Sequence, residues 1–162
     1  MVRTRARSSC LRPPLPERSP VPGHSRARTA LRWLLALFYL VAAWFHLTAP
    51  HPFLRIMPEW VPQPELVVAL TGVAELLGAI ALLQPWSLPL RKAGGIGLAL
   101  YALCVWPANV HHFALDMARP DHGLGLGYHV PRMFAQPVLI WLALWVSGAI
   151  EWPFRRKRLP VS

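Results

Sequence analysis

Glu75 is the residue whose type and place most demand an explanation. It lies inside an apolar run, T-G-V-A-E-L-L-G-A at 71–79. As a helix rising about 1.5 Å per residue, that run puts Glu75 about ten residues in, near the midpoint. A charge at such a depth in hydrocarbon costs roughly 3 kcal/mol even on lenient insertion scales, so such residues pair or act. Two readings stand: an interhelical hydrogen bond that sets register, or a carboxylate that accepts a proton or anchors a ligand. Five further polar residues accompany the other apolar runs: His46, Asn109, His112, Arg132 and Gln136. Imidazole and carboxyl groups exchange protons, while amide and guanidinium groups donate hydrogen bonds. Such a set suits the holding and protonation of a small polar head. Taken singly, His46, Asn109, Arg132 and Gln136 read more simply as caps at helix ends.

The elements that must position them are four apolar stretches, residues 30–47, 66–83, 94–114 and 134–150, each 17 to 21 residues long. A helix needs about 20 residues to cross a hydrocarbon core of about 30 Å. Fourteen of the seventeen Lys and Arg fall at the chain's start, between the second and third stretches, or after the fourth. The other two connections hold only Arg55, Arg119 and Arg132. Basic residues flanking membrane segments stay in the cytoplasm. The pattern therefore predicts an all-α, integral membrane four-helix bundle, multi-pass, with both termini cytoplasmic. Residues 1–29 read as a disordered Arg/Pro-rich tail, 30–152 as the transmembrane domain and 153–162 as a second basic tail.

Composition agrees. The chain of 162 residues is 54% hydrophobic and 15% charged, where a soluble protein carries about 25% charge. Topology accounts for the net charge of +10, so nucleic acid is not an expected partner; the lipid bilayer is. No cleavable secretory signal is expected, because the first apolar stretch is of full membrane length.

Small residues mark the packing faces. Thr71, Gly72, Glu75, Gly78 and Ala79 share one face of the second helix, which turns Glu75 inward. Gly94, Gly97, Tyr101, Cys104 and Ala108 are expected to do the same on the third. The outer loop between the third and fourth stretches, D-M-A-R-P-D-H-G-L-G-L-G-Y-H-V-P-R, is Gly-rich and reads as irregular. Pro85 and Pro89 read as breakers in the cytoplasmic turn.

Several chemistries are set aside. Six of the seven His lie toward the outer side, but His111 and His112 point about 100° apart on a helix. No H-x-x-x-H or C-x-x-C occurs, so no metal site is expected. Cys10 and Cys104 are too far apart for thiol exchange with a quinone.

With these residues in hand, the chain resembles the DoxX-like family of small bacterial four-helix membrane proteins. The resemblance runs over about residues 30–152. It rests on His46 followed by Pro52–Phe53, I-M-P-E-W-V-P-Q-P-E at 56–65, T-G-V-A-E-L-L-G-A at 71–79, W-P-A-N at 106–109, and Arg132 with Gln136. It implies a location in the bacterial cytoplasmic (inner) membrane and an association with redox metabolism. Three functions remain open. One is a redox-associated subunit binding a quinone headgroup between Glu75, His46, Asn109 and Gln136, with a soluble redox partner. Another is a non-enzymatic scaffold or assembly partner. The third is a small transporter or channel, which four helices accommodate only as a homo-oligomer.

Overall fold

The computed structural model describes residues 26–153; both tails' remaining residues, 1–25 and 154–162, lie outside that range. Four long helices and one short one follow in order: α1 (Arg26–Thr48), α2 (His51–Leu54), α3 (Pro64–Leu83), α4 (Leu88–Met117) and α5 (Gly125–Ser147), with no strand among the described residues. α1, α3, α4 and α5 are each long and apolar enough to cross a membrane. Their outward faces carry large apolar side chains, among them Trp33, Leu37, Trp44, Leu77, Leu100 and Val138. Apolar patches of that extent are rare on proteins that face water.

α1 packs chiefly on α3 and α4 chiefly on α5, while α3 also packs on α4 and α1 makes a lighter contact with α5. The buried core lies where all four meet, around Leu35, Tyr39, Leu82, Leu98 and Val146. At one end Arg28 ties α1 to the end of α5. Its Nε donates to the Trp145 carbonyl at 2.9 Å, its guanidinium stacks over the Trp145 ring, and it pairs with Glu151 at 3.3 Å.

Helix ends differ from the sequence-based expectation at several places. α4 begins at Leu88, six residues before the expected 94, because Ser87 caps it and Pro89 falls in the first turn. A proline there loses no hydrogen bond, since first-turn N–H groups have no helical partner. α5 begins at Gly125 and not at 134, so residues 125–132 of the expected Gly-rich loop are helix. α5 ends at Ser147, before the expected 150, because Gly148 takes the left-handed conformation (φ 87°) that closes a helix. Residues 26–29, expected in the tail, already belong to α1. The packing face of α4 is broader than expected: Gly94 abuts Ala81 of α3, as expected, but a second row is buried as well. Gly95, Leu98, Ala99 and Ala102 are buried, whereas Gly97 and Cys104 are exposed. On α3 the expected inward face holds: Gly72, Glu75, Gly78 and Ala79 are all buried.

The α3–α4 turn is closed by one side chain. Buried Gln84 donates to the Ser87 carbonyl at 2.6 Å and accepts from the Ser87 N–H at 2.8 Å. Gln84→Ala removes both bonds and leaves Ser87 groups unpaired, which should cost about 2 kcal/mol. Thermal unfolding in detergent is expected to show that loss. An unchanged midpoint would mean that water replaces the amide.

Candidate functional site

The ends of α1 and α4 and the beginnings of α3 and α5 meet on the same side of the molecule, roofed by α2 and the segment after it. Between them lies a cavity of about 790 Å³. That is within the range of about 300–1,000 Å³ typical of small-molecule sites. Phe53, Met57 and Trp60 line it from the roof. His46, Glu75, Asn109, Arg132 and Gln136, five of the six candidate residues, all line this cavity.

Glu75 is 2% exposed. The partner it finds is His46, whose Nδ1 lies 2.9 Å from Glu75 Oε2 and 2.9 Å from the Ala42 carbonyl oxygen. One N–H thus faces two acceptors and fully satisfies only one of them. Glu75 Oε2 is accordingly left short of a donor. The His46 ring is fixed by stacking on Phe53, with centroids 3.8 Å apart. From α4 the Tyr101 hydroxyl reaches the same carboxyl group. Tyr39, on α1, packs edge-on against Tyr101 with centroids 6.2 Å apart. A carboxyl, an imidazole and a phenol from three helices therefore share one corner of the cavity.

Three more cavity-lining side chains carry a buried oxygen with no protein partner: the Tyr39 hydroxyl, Asn109 Oδ1 and Gln136 Oε1. Leaving such a group unpaired costs about 1–3 kcal/mol. Such groups around an internal space take either ordered water or a polar guest as partner. Arg132, half-buried at the same cavity, has no carboxylate partner in the described structure. Its NH1 lies 2.8 Å from His112 Nδ1 and 3.2 Å from the Tyr128 hydroxyl.

His112 is the one candidate that does not line the cavity. It belongs to a second cluster, with Asp116 of α4 and His129 of α5, that meets the cavity through Arg132 and Tyr128. Sequence reasoning passed over Tyr101, Asp116 and His129 as functional residues. For Asp116 a signal existed, the i, i+4 spacing from His112; a search restricted to His–His pairs overlooks it. His129 carries no such signal, since only the packing of α5 on α4 brings it there. In the connecting turn, the Arg119 guanidinium at 3.0 Å and then the Gly123 N–H hold the exposed Asp121 carboxyl below its usual range.

Fold and site together define a class: all-helical chains with four helices long and apolar enough to span a membrane, enclosing a polar-cornered cavity. Residues 35–147 match the family model described as a domain of unknown function, DUF8561, and the chain belongs to that family. No curated protein and no solved structure matches the chain.

Proposed function

We propose that this chain is a DoxX-like, redox-associated integral membrane protein whose cavity binds the headgroup of a quinone. In this reading the four long helices form a transmembrane bundle in the bacterial cytoplasmic membrane, with both termini cytoplasmic. Arg26, Arg28, Arg32, Arg91 and Lys92 then lie on the cytoplasmic side, and the cavity faces the outer leaflet. The observation that carries the reading is the convergence of unpartnered polar atoms from four helices on one apolar-walled cavity. A quinone ring matches the apolar walls, and its carbonyls take hydrogen bonds from the Arg132 guanidinium and the Tyr39 hydroxyl. The hydroxyls of the reduced head donate to Asn109 Oδ1 and Gln136 Oε1, and reduction consumes protons. Glu75 and His46 are placed to deliver them. Electrons come from a redox partner, so the chain acts as a membrane subunit.

The test is mass spectrometry of an organic extract from detergent-purified protein, beside an unrelated four-helix membrane protein. A near-stoichiometric quinone is expected. Glu75→Gln removes a charged hydrogen-bonding group of about 1.5–3 kcal/mol and should lower occupancy about tenfold or more, with folding intact. An extract matching the control would favour a scaffold instead. The His46–Glu75 contact, which joins α1 to α3, would then serve only as a brace.

A further inference from the structure

His112 and Asp116 stand four residues apart on α4, so they share a face near its end. α5 brings His129 against them. His129 is fully buried, Asp116 is 6% exposed, and the His112 side chain is 15% exposed. His129 Nε2 lies 2.9 Å from Asp116 Oδ2, and His112 Nε2 lies 3.6 Å from the same oxygen. All three atoms fall within 4.8 Å of one another. Ligands held at about 2.0–2.2 Å from one ion sit about 3–4 Å apart, so little movement is needed to close on a metal.

We propose that His112, Asp116 and His129 form a binding site for a divalent transition-metal ion. Two imidazoles and one carboxylate suit Zn²⁺ or Fe²⁺, whereas Ca²⁺ and Mg²⁺ select oxygen ligands. Three protein ligands leave further coordination positions for water or a substrate.

The surroundings hold the ligands ready. The Leu124 N–H donates to Asp116 Oδ2 at 3.0 Å. Gly123, at φ 51°, lies so close to that carboxylate that a β-carbon there would overlap it. The His129 ring is enclosed by His112, Tyr128 and Phe113, with centroids 4.9, 5.0 and 5.4 Å away. His129 Nδ1 has no partner, so Nε2 alone fixes the ring, and it faces the site.

Two contacts compete. His129 Nε2 donates to Asp116 Oδ2 at 2.9 Å, and coordination through Nε2 moves that proton to Nδ1, which has no protein partner. Arg132 donates to His112 Nδ1 at 2.8 Å, which leaves the ring proton on Nε2. Coordination through Nε2 transfers that proton to Nδ1, and Arg132 must then let go, keeping the Tyr128 hydroxyl as its partner. Because Arg132 and Tyr128 also line the cavity, metal occupancy and the cavity are coupled through these two side chains.

The experiment uses tag-free, full-length protein in detergent, stripped with chelator and titrated with Co²⁺, then with Zn²⁺. One Co²⁺ per chain should give visible ligand-field bands that Zn²⁺ abolishes. Asp116→Asn keeps an acceptor for the Leu124 N–H yet should remove the bands. His112→Ala, at the more exposed ligand, should weaken binding at least about tenfold. Arg132→Gln should tighten it, because an amide oxygen accepts from the Nδ1–H that coordination creates. His111→Ala and His122→Ala should change nothing. No stoichiometric binding, or binding indifferent to both Asp116→Asn and His112→Ala, would overturn the proposal. The three residues would then be a clasp on the start of α5. This outcome is independent of whether the extract contains a quinone.

Discussion

Gly95→Val is expected to prevent the accumulation of folded protein, the largest structural effect of any single substitution we foresee. A β-carbon at Gly95 would lie 2.6 Å from the Ala143 carbonyl oxygen and overlap the Ser147 side chain. The obstruction is backbone on α5, which no rotamer change moves. Relief requires α4 and α5 to separate along the half where Leu98, Ala99, Ala143 and Val146 are buried. Overpacking a core costs about 1–3 kcal/mol per substitution, and valine adds two methyl groups to a β-carbon that already clashes. A loss of about 3–5 kcal/mol would remove much of a typical total stability of about 5–15 kcal/mol. Close approach through small residues is also what drives helix association in lipid, so nothing apolar compensates. Gly97→Val is the control. A β-carbon there meets nothing within 4 Å, and valine is a better helix former than glycine. Size-exclusion profiles and thermal unfolding in detergent should separate the two variants sharply. Similar behaviour of both would mean that α4 does not pack on α5 through Gly95.

Asn109→Leu and Gln136→Met should act in the opposite direction on stability while disabling the cavity. Each replaced side chain is buried and carries an oxygen without a partner. An unpaired buried polar atom costs about 1–3 kcal/mol, and an apolar group of similar shape removes that penalty. Each variant is therefore expected to melt higher than the parent in the ligand-free state, by the equivalent of about 1–2 kcal/mol; because the two side chains share one cavity, the pair should depart from additivity. The same changes delete hydrogen-bond partners for a polar guest, and ligand occupancy should fall about tenfold for each. Stability gained together with binding lost is the trade found at sites built for function and not for packing. Variants less stable than the parent would show that the two amides brace the helices through bridging water. The cavity would then be structural.

Much of this protein is legible in its linear chain. Four apolar runs of membrane length, the clustering of Arg and Lys at alternate connections, and Glu75 in an apolar helix all follow from composition and period. The inward placement of Glu75 also follows, because Gly72, Gly78 and Ala79 mark its face at spacings of three and four. Helix ends were less legible. Pro89 reads as a breaker and the glycines at 123–127 as part of a loop, yet Pro89 sits where its missing N–H is harmless. Gly125 and Gly127 are absorbed into α5, whose packing on α4 outweighs their poor propensity. The face of α4 is only partly legible because that helix offers small residues on two sides. Gly94 packs on α3 and Gly95 on α5, while Gly97 meets nothing; only the neighbouring helices decide among them.

Residue types and helical periods are local properties, and the sequence alone determined what depends on them: the four long helices, their apolarity, and a buried carboxylate in need of a partner. Which residues meet depends on how helices dock, a non-local outcome of many small contacts. Tertiary structure alone therefore decided that Glu75 pairs with His46 and not with Asn109 or Gln136. It also assembled the unpartnered oxygens of Tyr39, Asn109 and Gln136 around one cavity. By the same docking it drew His112 away from that cavity to Asp116 and to His129, seventeen residues further along the chain.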